Sequence, residues 1–101
     1  MKFILQRQFK ENIYNLMRKI GYHFSDKNKI TGEMNFVKPV GVDNFPRFHI
    51  FLKVNPETQE LFFNLHLDQK KPIYEGAPAH SGEYEGETIE REAERIKQII
   101  K

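Results

Sequence analysis

The 101-residue chain contains no cysteine. A disulfide framework and a thiolate zinc site are therefore excluded, stability must come from packing, and an intracellular home is the default expectation. Long apolar runs are also missing. Nowhere do about 18 apolar residues stand together, and Met1-Lys2-Phe3-Ile4-Leu5 is broken by Gln6, Arg7 and Gln8 before a signal-peptide core forms, so the reading is cytoplasmic with no membrane partner. Net charge is only +2, too little in itself to argue for nucleic acid. There is no internal repeat and no low-complexity tract. No His-Glu-x-x-His motif occurs, and Gly76, Gly82 and Gly86 follow no strand-turn-helix pattern that would cradle a phosphate. Ser81 stands beside His80, but adjacency in sequence does not aim a nucleophile at a base.

What is present is a globular composition, 39% hydrophobic and 30% charged with nine Phe and four Tyr, sized for a single domain over 1–101. Charge is unevenly spread. Residues 1–31 carry seven bases against Glu11 and Asp26, whereas residues 79–101 carry six glutamates against four bases. Two solvated helix faces that attract one another account for this, and a basic patch for a polyanion is the sharper alternative.

Phe9, Ile13, Leu16, Met17 and Ile20 form one stripe at helical spacing, and Gly21 is placed to stop it. Residues 22–31 turn polar, with His23 read as a capping or packing residue. Thr31-Gly32 leads into a strand over 33–40, which Pro39 marks as an edge. The clearest signal follows. Phe48, Ile50, Leu52 and Val54 alternate with His49, Phe51 and Lys53; Leu61, Phe63, Leu65 and Leu67 alternate with Phe62, Asn64, His66 and Asp68. A turn over Pro56–Gln59, with Gln59 in the left-handed position, joins the two runs and sets Asn55 opposite Glu60. Leu52 then opposes Phe63, Ile50 opposes Leu65 and His49 opposes His66. Ile89, Ala93, Ile96, Ile99 and Ile100 predict a second amphipathic helix, with Glu87 and Arg91 paired at spacing four. Between hairpin and helix lies an irregular stretch over 69–86 that carries Tyr74, His80 and Tyr84; its length and side chains suggest function.

The expected fold is α+β: a three-stranded antiparallel sheet with N- and C-terminal helices on one face, in the order α-β-β-β-α. The other face gathers His49, Phe51, Phe62, Asn64, His66 and Asp68, with Tyr74, His80 and Tyr84 from the loop, as the binding residues. Imidazoles with carboxylates suit zinc, manganese or iron, and His66 and Asp68, two apart on a strand, point the same way; His80, Glu83 or Glu85 would complete such a set. The spacing alone names no metal ligand, cofactor or catalytic residue, and a polar His49–His66 pair explains the same residues. Phe51 and Phe62 beside Arg47, His49, Lys53 and Asn64 would also suit a single-stranded nucleic acid, without matching the consensus of the common RNA-binding sheet. The reading is a small intracellular binding or accessory protein acting through this face and the 68–86 loop. A protein partner, a metal-dependent enzyme and a single-stranded nucleic-acid module are its alternatives.

Overall fold

The computed structural model describes residues 1–7, 11–41, 45–69, 82–83 and 86–100. Along the chain run β1 (Lys2–Gln6), α1 (Ile13–Lys19), β2 (His23–Lys27), β3 (Met34–Pro39), β4 (Arg47–Val54), β5 (Glu60–Asp68), β6 (Gly82–Glu83) and α2 (Glu87–Ile100). The strands form one antiparallel sheet in the order β1-β5-β4-β3-β2, with β6 also paired to β5.

This corrects the three-stranded expectation and its α-β-β-β-α order, because a strand precedes the first helix and another follows it. Both missed strands have a physical reason for their silence. In Phe3-Ile4-Leu5 the outward Ile4 is as apolar as its neighbours, 55% exposed, so the period of two is hidden. β2 is exposed at all five residues; the ladder to β3 holds it there, with no apolar face to advertise it. Its register shifts at a bulge between Phe24 and Asp26. β2 also corrects the placing of β3, which lies inside the sheet. Pro39 is tolerated because it pairs with Arg47 of β4 at the end of the strand, beyond the last residue that β2 reaches.

The first helix is shorter than its apolar stripe. Asn12 caps it by accepting from the backbone N–H groups of Tyr14 and Asn15, which fixes its start at Ile13, while Phe9 and Lys10 lie outside the described residues. Gly21, at φ 91°, ends it by donating its N–H to the Arg18 carbonyl at 2.9 Å.

Leu16 and Met17 of α1 with Ile20 that caps its end, and Ile89, Ala93, Ile96 and Ile100 of α2, share one core with Phe36, Ile50, Leu52, Leu61, Phe63 and Leu65 of the sheet. Burying each large aliphatic or aromatic side chain contributes about 1.5–3 kcal/mol. One polar network crosses this core. Tyr22 Oη donates to Glu92 Oε2 at 2.7 Å, and Arg95 forks onto both Glu92 oxygens at 2.8 Å while also donating to the Ile20 carbonyl at 2.5 Å. α2 is thereby tied to the end of α1. Burial raises the Tyr22 hydroxyl far above its ordinary range, and Glu92 beside it adds to the effect. At Glu92, burial works against the charge, but the hydrogen bonds from Arg95 and Tyr22 overcome it and hold the carboxyl below its usual range.

Two outcomes follow. Leu65→Ala, at a position with no solvent exposure, is expected to lower the unfolding free energy in urea by about 3 kcal/mol. Glu92→Gln is expected to cost about 2 kcal/mol at neutral pH. A carboxyl depressed in the fold stabilises above the ordinary carboxylate range and ceases to do so as pH falls through its own lowered value. The gap between the native chain and the Gln variant should therefore close in acid, as urea titrations at stepped pH would show.

Candidate functional site

The hairpin register is the one that the turn and the apolar alternation predict. Asn55 donates its N–H to the Glu60 carbonyl at 2.9 Å, Gln59 takes φ 65°, and His49 faces His66, Phe51 faces Asn64 and Lys53 faces Phe62. Residues alternate between faces along a strand, so successive rungs of the outer face can be read across the sheet. The first holds Ile4, Phe62 and Lys53; the second Lys2, Asn64, Phe51 and Asn35; the third His66, His49 and Val37; the fourth Asp68, Arg47 and Pro39.

On the third and fourth rungs, His49, His66 and Asp68 come together, each offering a donor atom within 4.8 Å of the other two. His66 Nε2 lies 3.2 Å from Asp68 Oδ1 and His49 Nδ1 lies 3.5 Å from Asp68 Oδ2. Arg47 Nε stands 3.4 Å from Oδ2 of the same carboxylate. His66 and Asp68 are buried and His49 half-buried, so this is a shielded polar cluster on a sheet face. Phe51 is its lid along one side, stacked on His49 at 4.4 Å and on His66 at 5.2 Å between ring centroids, with the two imidazoles 4.7 Å apart.

The electrostatics of His49 are set from behind. Asn35, opposite Phe51 on β3, donates its amide N–H to Asp26 of β2, which turns its carbonyl oxygen toward His49 Nε2 at 3.3 Å. A carbonyl can only accept, so this contact asks for a proton on Nε2, whereas the Asp68 contact asks for one on Nδ1. Burial lowers the His49 pKa; the Asp68 carboxylate pulls it back up less strongly, and Arg47 lowers it again. The net shift favours the neutral ring. A neutral ring carries one proton, so only one of the two oxygens beside it can be met at a time. With the proton on Nε2, Nδ1 and Asp68 Oδ2 are two acceptors at 3.5 Å, and a cation placed between them relieves the contact.

Of the residues expected to form the site, His49, His66 and Asp68 meet directly, Phe51 covers them, and Asn64 and Phe62 lie on the two rungs beyond. Tyr74, His80 and Tyr84 lie outside the described residues, as do Glu85 and the side chain of Glu83. The backbone of Gly82 and Glu83 pairs with Asp68 and Leu67. Asn35 and Asp26 went unforeseen. The alternation of Met34 and Phe36 with Asn35 and Val37 carries the signal for Asn35, but Asp26 required knowing that β2 exists.

A groove of about 660 Å³ opens beside the cluster, lined on the outer face by Lys2, Ile4, Phe51, Lys53, Phe62 and Asn64, with Glu33 at its border. Among the described residues, no helix is long and apolar enough to cross a membrane. Compared with known proteins, the chain matches no family model, no curated protein sequence and no solved structure.

The His49 assignment is open to measurement. Long-range 1H–15N correlation spectra at pH 7 are expected to show His49 as the neutral Nε2–H tautomer, and Asn35→Leu is expected to remove that preference. A spectrum showing the Nδ1–H form in the native chain would break the chain of polarity from Asp26 to Asp68.

Proposed function

We propose that this chain is a cytoplasmic binding protein whose outer sheet face holds one divalent first-row transition-metal ion through His49 Nδ1, His66 Nε2 and the Asp68 carboxylate. The observation that carries the reading is the convergence of His49, His66 and Asp68, each offering a donor atom within 4.8 Å of the other two on a shielded sheet face. The donor spacings support it. At metal–ligand distances of about 2.1 Å, neighbouring ligands in tetrahedral geometry stand about 3.4 Å apart, and His66 Nε2 lies 3.2 Å from one Asp68 oxygen, Oδ1, and His49 Nδ1 3.5 Å from the other, Oδ2. The two imidazole donors lie within 4.8 Å of each other.

Imidazole and carboxylate without sulfur suit zinc, iron, manganese or cobalt, and the lack of cysteine argues against softer ions. An outer shell accompanies the donors: Asn35 holds the far nitrogen of His49, Asp26 holds Asn35, and Arg47 steadies the carboxylate. Three protein donors leave at least one coordination position for water or a ligand. With a groove adjoining, that open position makes a metal-dependent enzyme the second reading. The nucleic-acid alternative draws less support, because Phe51 already stacks on the two imidazoles and only Phe62 of the pair is exposed.

Titration with Co(II), followed by visible absorption, and with Zn(II) by calorimetry, is expected to give one ion per chain. Asp68→Asn is expected to abolish the Co(II) spectrum, and Asn35→Ala to weaken binding by about 10- to 100-fold without removing it. A native chain that gives no spectrum and no heat, or an Asp68→Asn variant that binds as well as the native chain, would remove the proposal.

A further inference from the structure

The groove beside the metal cluster has a character of its own. Ile4, Phe62 and Lys53 form one rung of its floor and Lys2, Asn64 and Phe51 the next. Phe62 keeps 38% of its surface exposed and Ile4 55%, so an apolar floor faces solvent at one end of a polar face. Isolated apolar side chains on a surface are ordinary, but here Ile4 of β1 and Phe62 of β5 face each other across the ladder in a groove that Phe51 of β4 also lines, with a volume inside the range of about 300–1,000 Å³ typical of small-molecule sites. The charged border is not neutral. Lys2 and Lys53 flank the aromatic floor from β1 and β4, against the single carboxylate of Glu33, and Asn64 between them offers an amide donor.

Each part selects for one feature of an occupant. Phe62 and Ile4 favour a flat apolar body that can lie on the floor, where ring stacking adds about 0.5–1.5 kcal/mol beyond the area buried. Two ammonium groups on opposite sides favour an acidic substituent reachable from either, and an exposed lysine is a flexible point charge that adapts to carboxylate, sulfonate or phosphate alike. The groove is too short for a chain of stacked bases, since Phe51 at its inner end is already stacked on His49 and His66. A single small molecule fits better than a polymer.

We infer that the groove between β1, β4 and β5 is a binding site for a small planar aromatic anion, its ring on Phe62 and Ile4 and its acidic group between Lys2 and Lys53. This site is separate from the metal cluster and shares only Phe51 with its surroundings. It needs no ion.

The probe is 8-anilinonaphthalene-1-sulfonate, with uncharged N-phenyl-1-naphthylamine as its counterpart, each titrated into the folded chain by fluorescence. Saturable binding of the anionic dye is expected, weaker for the uncharged dye by about tenfold and weakened about tenfold again by Phe62→Ala or Lys53→Glu. Both substitutions fall at exposed positions, and thermal unfolding checks that the variants remain folded. Asp68→Asn is expected to leave the dye affinity within about twofold, which separates this site from the metal reading. No saturation up to about 1 mM dye, equal affinity for the two dyes, native-like affinity in folded Phe62→Ala and Lys53→Glu, or a loss in Asp68→Asn would each overturn the inference.

Discussion

In the turn between β4 and β5, the Asn55 side chain accepts from the backbone N–H groups of Glu57 and Thr58, while Gln59 adopts the left-handed conformation that returns the chain. Thr58 and Glu60 add a side-chain hydrogen bond across the exit. These local bonds choose which residue of one strand faces which residue of the other. The choice has no intermediate setting, because a slip of one position would carry Ile50, Leu52, Phe63 and Leu65 out of the core and turn His49 and His66 into it. Both faces are thus fixed by one event, and the apolar face supplies the free energy that holds the polar face in register.

Upon that frame the outer face is graded. At one end stand Ile4, Phe62 and the lysines, open to water; at the other stand His66, His49 and Asp68, largely withdrawn from it. Phe51 lies between, and its ring excludes water from the imidazoles on the side that faces the groove. Withdrawal from water is what makes the cluster chemically pointed. In water a neutral imidazole and a carboxylate ignore each other, whereas in a poorly screened environment each unsatisfied lone pair is costly and its orientation is enforced by the neighbour behind it. Asp26, Asn35 and His49 pass that orientation across three strands.

How much of this was legible in the residues varies by element. The hairpin was, because its apolar alternation and turn residues agree independently, and the meeting of His49 with His66 on one face follows from its register. α2 was legible for the same kind of reason, its isoleucines repeating at helical spacing. The strands at the two sides of the sheet were not. β1 has apolar residues on both faces and β2 has none buried, so neither carries the alternation that betrays a half-buried strand; each exists because a neighbour offers it a row of hydrogen-bonding groups. Missing them meant missing Lys2, Ile4 and Asp26, and with them the groove and the outer shell of His49. The inner position of β3 was hidden too, since Pro39 reads as an edge residue until its place beyond the reach of β2 is seen.

The bulge in β2 has a consequence for how the molecule lives among copies of itself. Among the described residues β2 is the last strand on its side of the sheet, and its outward amide and carbonyl groups would invite another chain to continue the ladder. At the bulge between Phe24 and Asp26 the strand bends and the even repeat of those groups is interrupted, and Asp26 and Lys27 follow at once with charge. A flat, hydrogen-bond-hungry margin is thereby made a poor template, so the strand that supports the histidine from behind also guards the protein against fibrillar stacking.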